Sequence, residues 1–426
     1  LGGNQAMQRS AYNDAINGLT SAIDLLQRLP DSPERTRREL LLQLAVGPAS
    51  ITIKGWGAQE VRRAYTRARQ LCAQLGDPPE EFFPTLYGLW LEHLIRGELP
   101  RSYELAEEFL RRANSAQDPA LLLYANYVLG DTWYFMGESI SAREHLETAI
   151  AHYDPERHRT LALRFEGYDA KLINLLLLSW ALWTLGYPDQ ALQRSNEALA
   201  FAQSLSNPRD LTRAIMFAAM VHLFRREVRA TQESADAVIA LSAEHGTTEW
   251  LPWATALRGS VMAAQGHHEE GIAQLYEGMA MSRATGIELF RSGFLCLLAE
   301  ACMQAGRLDH ALSALTEAET AANQREERLL EAAEIFQLKG ELLLRRDDPN
   351  VAEAQRCFER AIEIARKQSA KSLELRARMS LARSLDLQGK RDEARVMLAE
   401  IYNWFTEGFD TADLKDAKAL LEELTR

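Results

Sequence analysis

Imidazole and carboxylate side chains crowd together at His267-His268-Glu269-Glu270, the group that comes nearest to a metal site. A zinc-binding H-E-x-x-H segment places two imidazoles one helical turn apart on the same face. Here the four residues are consecutive and follow Gly266, so they read as a solvated turn. Cys296 and Cys302 have no second close pair to complete a tetrahedral set and read as small core residues. The chain has no G-x-x-x-x-G-K-[ST] loop to cradle a triphosphate and no G-x-S-x-G elbow to expose a nucleophile. No catalytic residue, metal or cofactor is expected.

The chemistry that the side chains can support is recognition. Tyr127, Tyr134, Trp180, Trp183, Met216, Met220, Phe224 and Trp253 form the candidate ligand or partner groove. Aromatic side chains give wide contact area at small entropic cost, and methionine adapts to shape. Two placements stay open for this set: an open channel, or packing between long helices. Trp180 and Trp183 are three apart on one face, and both cannot join Leu178, Leu182 and Leu185 in a helix-pair seam. At least one is therefore expected to face a groove, where alanine replacements would leave stability little changed.

The elements that must position these residues repeat. The clearest unit runs Leu129, Gly130, Trp133, Gly137, Ala142, Leu146, Ala149, and its offsets recur around Ser179, Ala219, Gly259, Ala299, Gly340 and Ala382. The alanine-type position falls at 142, 191, 231, 271, 311, 354 and 394, mostly a 40-residue step. Small residues at these offsets let two antiparallel helices cross closely, which is the pattern of tetratricopeptide (TPR) repeats. Degenerate copies centre on Ala15, Val61 and Ser102. The expectation is an all-α, right-handed, TPR-like superhelical solenoid of about ten helix pairs with a C-terminal capping helix. The chain then divides into degenerate repeats (1–151), an irregular connection (152–171), regular repeats (172–409) and the cap (410–426).

Counting from each glycine puts Tyr87, Tyr124, Tyr127, Asp131, Tyr134, Trp180, Trp183, Met216, Met220, Phe224 and Trp253 on the concave side. Toward the C-terminus the same positions become Ser260, Glu300, Gln304 and Glu341, so the groove changes polarity along its length. The Lys, Arg and Asn donors that would grip a terminal carboxylate are missing there. Glu326, Glu327, Glu331 and Glu334, beside Arg325 and Arg328, read as a solvated mixed-charge face.

Segments 178–202, 371–385, 153–159 and 404–424 resemble one family of large bacterial signalling proteins. In that family a class III adenylate/guanylate cyclase or another effector precedes an AAA- or STAND-type ATPase and a long TPR region. The resemblance implies a non-catalytic sensor and protein-interaction region, cytoplasmic, acting on upstream ATPase or effector domains of the same polypeptide. Its groove would take a protein, a peptide or a small apolar ligand. The other reading is a scaffold or self-association module without an external ligand. Leu1 fits a piece of a longer polypeptide, and the amphipathic end fits a natural C-terminus.

Charge excludes one class of partner. With 48 Lys and Arg against 60 Asp and Glu among 426 residues, the net charge of −12 opposes phosphate-backbone binding, so no nucleic-acid partner is expected. The longest uncharged run, Leu172–Pro188, is broken by Gly186-Tyr187-Pro188, and no membrane partner is expected either.

Overall fold

A computed structural model describes residues 2–158, 165, 168–324 and 331–426. Among these the regular structure is helical throughout. Helix α1 (Gly2–Leu26) is followed by the pairs α2 (Pro33–Lys54) with α3 (Gln59–Gln74), α4 (Pro79–Ile95) with α5 (Leu99–Ala116), and α6 (Pro119–Phe135) with α7 (Ser139–Ala151). The short α8 (Pro155–His158) lies in the connection. Next come α9 (Ala170–Thr184) with α10 (Pro188–Leu205), α11 (Pro208–Phe224) with α12 (Val228–His245), and α13 (Leu251–Ala264) with α14 (His268–Ala284). The last pairs are α15 (Arg291–Gln304) with α16 (Leu308–Gln324), α17 (Ala332–Arg345) with α18 (Val351–Lys367), and α19 (Lys371–Leu387) with α20 (Arg391–Tyr402), closed by α21 (Ala412–Thr425). The architecture is a TPR-like solenoid, each helix packed on its chain neighbours.

Local sequence sets the helix starts. Asp118, Asp169 and Asn207 accept a hydrogen bond from the backbone N–H two residues on, and Pro119 and Pro208 occupy the first helical position, where their missing N–H costs nothing. The small-residue column explains the pairing. Ala142, Ala191, Thr231, Ala311, Ala354 and Ala394 are all at most 1% exposed, each at the crossing of its pair. In α13 and α14 the approach is closest: a Cβ on Gly271 would stand 2.5 Å from the carbonyl oxygen of Gly259. The turn insertion around Arg346–Asn350 ends with Asn350 capping α18 through the N–H of Glu353.

First helices of successive pairs also touch one another and form the inner layer, while second helices form the outer one. The residues just before α9 are fastened to α11 and the segment before α13. Tyr168 donates to Glu249, which also receives both arms of Arg209, and the guanidiniums of Arg209 and Arg213 lie 4.2 and 4.3 Å from the Tyr168 ring centre. Asp210 beside this cluster has its pKa pushed up to about 6, chiefly by burial and then by Asp169.

The solenoid is wound tightly enough for successive turns to meet. The α9–α10 loop lies against α19 and the loop before α21. Ser372 donates to the Trp183 carbonyl at 2.5 Å, and Gly408 N–H donates to Asp189 at 2.8 Å. A Cβ at Gly408, where φ is +77°, would fall 2.1 Å from Pro188 Cγ. One turn earlier, both Glu288 and Leu289 donate backbone N–H to the Ile95 carbonyl at 2.9 Å.

Candidate functional site

On the concave side, residues of successive turns line a cavity of about 610 Å³. That is within the range of small-molecule sites. One wall is aromatic. Trp180 stacks on Phe217 with ring centres 4.1 Å apart and donates its indole N–H to the Phe217 carbonyl at 3.1 Å. Trp183 stacks on Phe224 at 4.6 Å, and Trp253 meets Phe290 edge-on at 4.2 Å.

Of the eight predicted groove residues, Tyr134, Trp180, Trp183, Met220, Phe224 and Trp253 line this cavity together. Tyr127 and Met216 do not: each is 1% exposed and lies among the buried core residues. Tyr127 packs on Tyr87 and Trp90, in a cluster where Phe165 from the connection stacks on Tyr124 at 3.8 Å. The six aromatic and methionine residues on the cavity lining are therefore either buried core residues or half-buried against the core. Trp180 and Trp183 are only 4% and 5% exposed, so alanine replacements there would cost stability.

Another part of the lining is polar and bears carboxylates. Ser260, Glu300, Gln304 and Glu341 line it, as the polarity change along the repeats anticipates. Glu331 and Glu334 line it too, which corrects their reading as a solvated face: Glu334 lies on α17, an inner helix, and Glu331 immediately precedes it. Glu326, Glu327, Arg325 and Arg328 lie outside the described residues.

The Glu300 side chain is exposed, but to the cavity, with protein on the surrounding walls. That burial, reinforced by Glu334 and Glu341, pushes its pKa up to about 7 against the attraction of Arg376 and Arg226. Burial raises the Glu334 pKa as well, with Glu331 and Asp413 adding to it and Arg376 opposing. Glu341 accepts hydrogen bonds from Ser380 at 2.7 Å and Gln337 at 3.2 Å.

Four cavity residues, Arg226, Arg376, Asp413 and Asp416, also tie the turns together, and the repeat pattern does not reveal them. Arg376 donates to Asp413 at 2.8 Å and to the Phe224 carbonyl at 2.6 Å, and it lies 5.0 Å from the Trp183 ring centre. Arg226 reaches Asp413 at 3.1 Å and Asp416 at 2.7 Å. Their carboxylate partners hold both guanidiniums in the charged form.

A family model described as tetratricopeptide repeat matches residues 175–195 and 375–400. The chain contains TPR repeats. An uncharacterized protein of Rhizobium meliloti (strain 1021) is 23% identical over 382 residues, 89% of this chain and 36% of that protein. The chain thus spans about a third of the length of this relative. Among solved structures, the TPR array is similar to Rap protein complexed with Competence and Sporulation Factor, at 11% identity and a TM-score of 0.59 over 86% of this chain and 98% of the other. A STAND protein with a tetratricopeptide repeat sensor from Pyrococcus horikoshii is similar at 16% identity and a TM-score of 0.40, over 86% of this chain and 55% of that one.

Cys72, Cys296, Cys302 and Cys357 are buried free thiols of the TPR helices, their pKa values raised by burial. His267 and His268 stand at the start of α14, and no metal-holding cluster of His, Cys, Asp and Glu occurs among the described residues. No described helix is long and apolar enough to cross a membrane.

Proposed function

We propose that this chain is a non-catalytic sensing region whose central cavity holds a small molecule or a short stretch of peptide. It would serve a larger cytoplasmic signalling protein that carries cyclase or ATPase domains. One observation carries this reading: Arg226, Arg376 and Asp413 line the cavity and also fasten one superhelical turn to the next. An occupant that moves any of them changes how tightly the turns close. A ligand with different affinity for the tighter and looser windings would shift the balance between them, which is what a sensor requires. A cavity of about 610 Å³ admits a small molecule or a few residues and not a folded partner.

The second reading, a scaffold without ligand, draws on the near-complete burial of Trp180 and Trp183. Native mass spectrometry separates the two. After incubation with a deproteinised cell extract, the full chain is expected to carry a bound species small enough for the cavity. Ser260 and Ala264 both line the cavity one turn apart on α13, and the Ser260→Phe, Ala264→Phe variant fills it. That variant should carry nothing; equal retention by both proteins, or by neither, would contradict the sensing role.

A further inference from the structure

Resting on the reading that the cavity is the ligand site, we infer that its occupant joins an apolar, ring-stacking body to an amine or guanidinium group. The two walls of the cavity ask for different chemistry. The aromatic wall presents the Trp180, Trp183 and Phe224 rings, which attract flat apolar groups and also cations held over their faces. Trp253, in the same wall, has a buried indole N–H with no acceptor among the described residues, a donor free for a ligand carbonyl or hydroxyl.

Another part of the lining carries Glu300, Glu334 and Glu341. Arg226 and Arg376, the nearest cations, are already engaged by Asp413 and Asp416. Glu300 and Glu334 make no ion pair or hydrogen bond among the described residues, and Glu341 is met only by the neutral Ser380 and Gln337. Arg383, also on the lining, pairs with none of these three among the described residues. Carboxylates drawn out of bulk water are costly unless a cation meets them. Burial, with Glu334 and Glu341 nearby, raises the Glu300 pKa more than Arg376 and Arg226 lower it. A ligand ammonium or guanidinium between Glu300 and Glu334 would let both ionise, while its body rests on the indoles.

The chemistry is shared by a free aromatic amine and by a basic residue next to an aromatic one in a peptide. Calorimetric titrations of the full chain at pH 7.5 therefore use three probes: tryptamine, its neutral counterpart tryptophol, and phenylalanyl-arginine amide. At least one cationic probe is expected to bind about tenfold more tightly than tryptophol, as a charge-assisted hydrogen bond implies. The tighter cation tells free amine from peptide. In Glu300→Gln, Glu334→Gln the cations should lose about that factor and tryptophol should not change. Tryptophol binding as tightly as the cations would overturn the cation and leave the cavity as the site. Failure of all three probes to bind would overturn both.

Discussion

The Arg376 guanidinium lies 5.0 Å from the centre of the Trp183 ring, so one contact joins the cavity wall to the seam between superhelical turns. Arg376 belongs to α19 and Trp183 to α9, five pairs earlier in the chain. Ordinary repeat-to-repeat packing cannot bring them together; the winding of the whole array does.

Arg376→Met removes the bonds to Asp413 and to the Phe224 carbonyl while Arg226 still compensates Asp413. Hydrogen bonds from a charged group of this kind are worth about 2 kcal/mol in all. Urea denaturation should show a loss of that size, and hydrogen exchange in α21 should speed up. Unchanged exchange in α21 would show that the seam does not depend on Arg376.

Gly408→Ala tests the seam through the backbone. The added Cβ would meet Pro188, and the positive φ is itself unfavourable for alanine. A cost of about 2 kcal/mol is expected, concentrated in α21 and the α9–α10 loop. Gly389→Ala, also at positive φ but with open space around its Cβ, should pay only the backbone part. Equal effects of the two variants in thermal unfolding would contradict the close approach.

Glu300 gives the ligand-free chain a pH signature. Its folded pKa of about 7 stands above the ordinary glutamate value, so between the two the folded state binds more protons than the unfolded one. Stability from this group therefore falls as pH rises through that window. Burial is the main cause of the shift; Glu334 and Glu341 add to it, and Arg376 and Arg226 oppose it. Glu300→Gln should be more stable than the parent at pH 8, with the gap closing toward pH 5. A gap that is absent, or that widens on acidification, would contradict the assigned environment.

Trp180→Ala should lower stability by about 3 kcal/mol, because it removes the stack on Phe217 and leaves a cavity. Urea unfolding measures it. A change below about 0.5 kcal/mol, the usual range of surface substitutions, would place Trp180 outside the core.

The repeat pattern makes the fold legible because its signal is local. Gly259 and Gly271, or Ala354 and Ala394, mark crossings that any neighbouring pair must make. The same counting finds Glu300 and Glu341, since a position's offset from the turn glycine fixes which side of its helix it takes. It misplaces Tyr127 because the cavity is shorter than the groove: Tyr127 lies two turns before Tyr134, where rings from α4 and the connection fill the space. Arg226, Arg376 and Asp413 are not legible at all. Their partnership spans 187 positions and depends on how tightly the superhelix winds, which no single repeat encodes.

The most direct test is a crystal structure of the full chain after incubation with the extract used for native mass spectrometry. The account predicts ligand density between the Trp180 and Trp183 rings and the Glu300 carboxylate, with the Arg376–Asp413 contact displaced or tightened. A cavity holding only water, with the bound species seated elsewhere, would contradict it.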